Sequence, residues 1–305
     1  MQALAARARG APSARGGPRA AARPARAGLR LRASAAAVEA KSVSGRMAEL
    51  KAAGKVAFIP FLVAGDPSLD TTAEALQRLD AVGADVIELG VPYSDPLADG
   101  VVIHSAATRA LQHGTTLDKV IAMVAATAPK LRAPLVLFTY YNPIIRRGMD
   151  TFCAQIKEAG ASGLLVPDLP LEETTTIRAA CERAGLELVL LTTPTTPKAR
   201  MADIARASQG FVYLVSVTGV TGVQERVATR VEALVEMLHS VTDKSVAVGF
   251  GVSKPEHARQ IVAWGAEGVI CGSALVRALG DAATPEEGLD AMEALARSLR
   301  EASAK

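Results

Sequence analysis

From Lys55 onward the chain repeats one alternation, a short apolar run rich in Val, Ile, Leu and Phe followed by a longer stretch of helical character. Eight of these runs predict strands: Ala57 to Val63, Asp85 to Leu89, Leu135 to Thr139, Gly163 to Val166, Leu186 to Leu191, Phe211 to Val215, Val246 to Gly249 and Gly268 to Cys271. Helices are expected between them, over Thr71 to Val82, Leu117 to Ala128, Met149 to Ala159, Glu172 to Ala184, Lys198 to Ala207, Val231 to Ser240 and Pro255 to Trp264. Starting signals mark several of these: Asp70 before Thr71, Asp150 in a first turn, Thr196-Pro197, and Ser253 two residues before Pro255. A strand that is apolar throughout needs cover on both faces, and intervening helices supply it, so the pattern reads as parallel βαβ units. Eight such units close into a (β/α)8 TIM barrel of one domain. A doubly wound open sheet is the structural alternative.

Charge alters this picture at one end of the chain. The 305 residues, half of them hydrophobic, suffice to bury the core of such a barrel. From Met1 to Val38, however, there are eight Arg, no Lys and no acid, and the first acid is Glu39. Without those eight charges, 34 basic against 31 acidic residues become 26 against 31, and the formal net charge moves from +3 to −5. An Arg-rich, acid-free, Ser-containing leader without a continuous apolar stretch resembles an organelle transit peptide rather than a secretory signal. The other reading, a basic tail for nucleic acid or a membrane surface, is weakened by the absence of aromatic residues among the arginines. Residues 1–40 are therefore expected to be a disordered transit peptide, and 41–305 the barrel. Neither nucleic acid nor a membrane is an expected partner. Cys153, Cys181 and Cys271 are odd in number and lack ligand spacing, which argues against a disulfide framework and a structural zinc site. No apolar run approaches the roughly 20 residues that a helix needs to cross a bilayer.

A parallel barrel carries its chemistry at the carboxyl ends of its strands, with phosphate favouring the loops after strands seven and eight. The loop after the second strand stands out, running Ile87-Glu88-Leu89-Gly90-Val91-Pro92-Tyr93-Ser94-Asp95-Pro96-Leu97-Ala98-Asp99-Gly100. Glu88 lies at the end of an apolar strand, where burial raises a carboxyl pKa and suits a group that gives and takes a proton. Asp99, in a Gly-flanked loop, stays ionised more easily. A salt-bridged turn is the plainer reading of the same run. Strand seven leads into Gly249-Phe250-Gly251-Val252-Ser253, and strand eight into Gly272-Ser273-Ala274 at the start of a short helix. Glycine lets backbone N–H groups approach an anion, and a helix amino terminus adds partial positive charge. Thr218-Gly219-Val220-Thr221-Gly222, after strand six, is a third candidate for the same phosphate. No predicted strand ends in Lys, which disfavours a Schiff base. His104, His113, His239 and His257 form no ligand cluster, and a divalent ion among Asp95, Asp99 and His104 lacks the usual spacing. The expectation is therefore no metal and no cofactor.

The run from Ile87 to Gly100 resembles the signature of the tryptophan synthase alpha chain family, and the resemblance extends from about Ser44 to the carboxyl end. Supporting pieces are Pro60-Phe61 with Gly65-Asp66-Pro67, Tyr140-Tyr141-Asn142-Pro143, Val166-Pro167-Asp168-Leu169-Pro170, Gly219 to Gly222, Gly249 to Gly251, and Gly272-Ser273. The resemblance implies retro-aldol cleavage of indole-3-glycerol phosphate to indole and glyceraldehyde 3-phosphate, without cofactor. It gives Glu88 the role of general acid and base, Asp99 that of acceptor for the indole N–H, and Tyr213 that of a support for this region. It further implies an indole slot of Phe61, Ile270 and Leu165, a phosphate site of Gly222, Gly249, Gly251, Gly272 and Ser273, and a closing loop containing Thr221. A beta chain in an alpha2-beta2 complex is the implied partner, with Asp95, Pro96 and Asn142 at the contact. A plastid stroma is the implied compartment.

Two positions depart from the family pattern. Val101 stands where proline is usual, which frees a fixed φ at a loop-to-helix junction, and His104 stands where glutamine is usual, which introduces a group that titrates near neutral pH. The same motifs also fit a free-standing indole-3-glycerol phosphate lyase that needs no beta chain. A barrel that has lost catalysis and keeps only a phosphate site is disfavoured, because both acids are present.

Overall fold

The computed structural model describes residues 41–215, 224–249 and 251–304, and the side chains of 224–229 fall outside it. The expected transit peptide over 1–40, Thr221 of the implied closing loop and Gly222 of the implied phosphate site thus lie outside the described residues. All eight predicted strands are present, each within two residues of its expected bounds. They are β1 (Ala57–Val63), β2 (Ile87–Gly90), β3 (Leu135–Phe138), β4 (Gly163–Leu165), β5 (Glu187–Thr192), β6 (Val212–Val215), β7 (Val246–Gly249) and β8 (Gly268–Cys271). They pair in chain order, all parallel, and β8 returns to β1, so the sheet closes into a (β/α)8 barrel.

Closure explains why the strand sequences are mostly apolar. One set of alternating positions fills the bore, with Ala57, Ile59, Val86, Val136, Leu165, Val189, Phe211, Ala247 and Ile270 in one cluster. The other set, including Phe58, Leu62, Leu89, Leu137, Leu164 and Val248, packs outward among the buried faces of the helices. The repeating pattern does not reach the Val43–Ala52 helix, which has a separate task. Its Val43, Met47 and Leu50, at i, i+4 and i+7, join the bore cluster and seal the amino end of the barrel. Glu187 at the start of β5 anchors this plug, accepting hydrogen bonds from Ser42 Oγ at 2.7 Å, Ser44 N at 2.7 Å and Ser44 Oγ at 2.9 Å.

Two starting signals work differently from their sequence reading. Ser68, rather than Asp70, caps the second helix (Leu69–Val82), accepting from Thr71 N. Ser253 caps nothing with its side chain; its N–H meets His257 Nδ1 at 3.3 Å, and the helix starts at Pro255 after Lys254. At the carboxyl end of the barrel, Asp66 is buried and holds Arg109 through two bonds of 2.8 and 2.7 Å. That pair ties the loop after β1 to the Val101–Gln112 helix, which begins two residues after Asp99.

Candidate active site

Glu88 takes an inward position on β2, in register with Phe61 of β1 and Val136 of β3. It is 1 % exposed, and neither of its carboxyl oxygens has a hydrogen-bond partner among the described residues. An ion here would lose water and gain no replacement, so burial pushes the Glu88 carboxyl up to about 8. Tyr213 stands on β6, half-way round the closed sheet. Burial raises its hydroxyl far above the ordinary range, and the nearby charge of Glu88 adds to the effect. Glycines at inward positions hollow the bore above this level. A Cβ on Gly90 would come within 2.7 Å of the Phe61 ring, and one on Gly249 within 2.5 Å of the Tyr213 hydroxyl. These two positions must be empty for the two rings to border the site.

A cavity of about 630 Å³ opens at this end, walled by Phe61, Phe138, Leu191, Tyr213, Val215 and Ile270 on its apolar side. Phe61 and Phe138 meet edge to face, with centroids 5.5 Å apart. Leu165 lies elsewhere: it is wholly buried in the bore cluster, and Pro167, one inward position further along, reaches the wall in its place. Alternation sets this, because each inward step along a strand carries a side chain from the packed layer to the mouth. Glu88 likewise sits under the wall rather than on it.

Asp99 lines the same cavity with Ala98 and Ile103. Partial burial raises its carboxyl above the usual range, while a hydrogen bond from Tyr140 and the proximity of His104 oppose that rise. The Tyr140 hydroxyl also accepts from Ala98 N at 3.1 Å, so one side chain holds two consecutive residues of the loop. Its ring stacks on Tyr93 at 5.3 Å, and Asn142 Nδ2 donates to the Tyr93 hydroxyl at 2.8 Å. Asp168 accepts from Tyr141 N at 2.9 Å, capping the Tyr141–Arg147 helix. Loops after β2, β3 and β4 are thus one bonded assembly. In the sequence Tyr140 stands out only as the first residue of the Tyr140-Tyr141-Asn142-Pro143 motif, since a tyrosine at a strand end signals nothing about the loop it will meet.

The remaining wall is built of small residues: Gly249, Gly251, Val252, Ser253, Gly272, Ser273 and Ala274. Gly251 has φ +47°, in the left-handed region that glycine tolerates. Gly272 precedes the Ser273–Gly280 helix and accepts from the N–H groups of Leu275 and Val276. The earlier amides of Ser273 and Ala274 have no intrahelical acceptor and face the end where partial positive charge gathers. Asp95 and Asn142 are exposed or partly so on the outer side of the mouth with Pro96, beside Leu97 at 89 % exposure. A larger cavity of about 740 Å³ at the opposite end holds Arg46, Asp80, Asp85, Arg132 and Arg300, but these charges pair with one another.

Comparison with known proteins bears on this geometry. The family model described as tryptophan synthase alpha chain matches residues 47–304. A tryptophan synthase alpha chain of Arabidopsis thaliana is 55 % identical over 260 residues, covering 85 % of this chain and 94 % of that one. One from a Synechocystis species is 58 % identical over 253 residues, covering 83 % and 96 %. Among solved structures, a chain of tryptophan synthase from M. tuberculosis superposes with a TM-score of 0.78 at 34 % identity, covering 88 % of this chain and all of that one.

Proposed function

The chain belongs to the tryptophan synthase alpha chain family, and from that premise we propose that Glu88 carries the proton and Asp99 receives the indole N–H in its reaction. As a member of the family it is a lyase of tryptophan biosynthesis, the alpha subunit that cleaves indole-3-glycerol phosphate to indole and glyceraldehyde 3-phosphate. With its pKa at about 8, Glu88 is mainly in its acid form at pH 7 and protonates indole C3. Positive charge then appears at the ring nitrogen, whose N–H donates to the Asp99 carboxylate. The Glu88 carboxylate takes the proton of the hydroxyl on the adjoining carbon. The carbon–carbon bond breaks, its electron pair returns to the ring, and an aldehyde forms. One proton has been given and one received, so Glu88 ends as it began.

Phe61 and Ile270 form the slot for the flat ring, with Tyr213 bordering it and Leu165 supporting it from below. Gly249, Gly251, Gly272 and Ser273 take the phosphate, joined by Gly222, while Thr221 belongs to the segment that closes over the substrate. The observation that carries this reading is Glu88, buried without a hydrogen bond at the foot of a cavity. Few structural roles explain such a group. The test is indole formation by Glu88→Gln: a loss of several orders of magnitude is expected, and a wild-type rate would overturn the assignment.

The family pairs with a beta chain. An alpha2-beta2 complex docking over Asp95, Pro96 and Asn142 is supported by the exposure of Leu97, Val101 and Ile145 around the loops after β2 and β3. Turnover that rises on adding beta chain is the expected result, and full activity alone with no complex would refute it. The arginine-rich leader supports delivery to a plastid stroma. Sequencing the mature amino terminus from isolated plastids should give a start beyond Arg32, and an intact Met1 there would refute import with cleavage.

A further inference from the structure

Among the described residues that wall the cavity, two carry a charge: Asp99 on the side of the loop after β2, and Arg277 on the side of the small-residue wall. Arg277 lies four residues beyond Ser273 on the Ser273–Gly280 helix, so the two share a helix face. The Cα–Cβ bonds of a helix lean toward its amino terminus, which carries a long side chain at this position back over the first turn. Arg109, at the same end, is committed to the buried Asp66. Arg277 is exposed, and its guanidinium makes no hydrogen bond or ion pair with any described residue.

We propose that Arg277 is the cationic anchor of the substrate phosphate, closing over an anion that backbone amides hold from beneath. The assignment rests on the cavity being the indole-3-glycerol phosphate site. It makes the site a charge-matched pair of ends. Asp99 faces the ring nitrogen, where positive charge develops, and Arg277 faces the phosphate, where negative charge is fixed. A guanidinium presents two parallel N–H donors to two phosphate oxygens, which neutral amides and one hydroxyl do not supply. The phosphate is remote from the bond that breaks and keeps its charge throughout, so Arg277 binds ground state and transition state alike. Its loss should therefore appear in KM rather than kcat.

The experiment compares wild-type chain with Arg277→Gln and Arg277→Lys, each assembled with beta chain. It uses two substrates, indole-3-glycerol phosphate and the dephosphorylated indole glycerol, and measures glycerol 3-phosphate binding by calorimetry. Arg277→Gln is expected to raise KM for the phosphorylated substrate about tenfold, with kcat within about twofold; the exposure of the group keeps the effect at the lower end for a charged hydrogen bond. The glycerol 3-phosphate dissociation constant should rise by the same factor, Arg277→Lys should recover part of it, and kcat/KM for indole glycerol should not move. Equal losses on both substrates, or an unchanged KM and dissociation constant, would overturn the proposal. If wild-type protein fails to cleave indole-3-glycerol phosphate, the reading of the site falls, and the calorimetry still decides whether Arg277 binds a phosphate.

Discussion

Glu88 keeps its proton at neutral pH because the fold offers its carboxylate nothing in exchange for water. An exposed glutamate in the unfolded chain titrates near 4.5, and the folded one at about 8. Between these values the native state binds a proton that the unfolded state releases, so stability falls as pH rises through that window and levels off above 8. At pH 7 the cost is about 3 kcal/mol. Glu88→Gln removes the titration, so the variant should melt higher than wild type, by a margin that grows from pH 4.5 to 8. Thermal melts across that range check this, and a margin independent of pH would contradict it. Wild-type kcat should decline above pH 8, as the acid form disappears. Tyr140 makes a second residue-scale case. Tyr140→Phe keeps the stacking on Tyr93 but removes the hydroxyl that holds Ala98 and Asp99, and kcat should fall roughly tenfold, the worth of about one charged hydrogen bond. An unchanged kcat in steady-state assays would leave Asp99 held by other means. Glu88 and Asp99 were legible because acids at a strand end and in the following loop are costly enough to stand out in sequence. Tyr140 and Arg277 were not, since their placement depends on how separate loops and a helix face converge. Leu165 was misplaced by one layer, because sequence alternation gives a side chain's direction and not its depth.

At the scale of elements, the eight strands could be read because a closed parallel sheet buries both faces, leaving runs that are apolar but for a few positions such as Glu88. Strand limits drifted by one or two residues where the last apolar residue and the last ladder bond do not coincide, as at Thr139 and Val166. The plug helix Val43–Ala52 was illegible for the opposite reason. Three apolar residues in a short polar segment mark an amphipathic helix, but only the open amino end of the bore says where it goes. Met47 is 1 % exposed there, packed with residues of the bore. Met47→Ala should destabilise the barrel by about 2–4 kcal/mol, the usual range for truncating a buried side chain of this size. Urea unfolding measures the loss. The lining of the substrate cavity lies at the other end, so KM for indole-3-glycerol phosphate should stay within about twofold, and a large rise in KM would show the two ends to be coupled.

At the scale of the whole molecule, the two ends of the barrel divide the labour. The amino end is plugged and the arginines of its cavity are paired with Asp80 and Asp85, whereas the carboxyl end carries the candidate site and the exposed apolar side chains. Leu97 at 89 %, Val101 at 83 % and Ile145 at 47 % are the large hydrophobic residues left exposed among the described residues. All three lie on the loops after β2 and β3 or the helices that follow them, and those same segments hold Asp99. A beta chain that covers them therefore presses on the catalytic loop itself. The physical route is short: the Tyr141–Arg147 helix bears Ile145 and Asn142, Asn142 bonds Tyr93, Tyr93 stacks on Tyr140, and Tyr140 holds Asp99. Ile145 tests whether this face is the one that docks. Ile145→Asp replaces apolar surface with a charge that docking would strip of water without supplying a partner, at a cost of about 2 kcal/mol or more. That corresponds to a roughly 30-fold weaker complex. The readout is the beta-chain concentration that gives half-maximal stimulation of indole formation, which should rise by that factor. Half-saturation at the wild-type concentration would put the beta chain on another face, and the Asn142–Tyr93–Tyr140 contacts would then serve the loop alone.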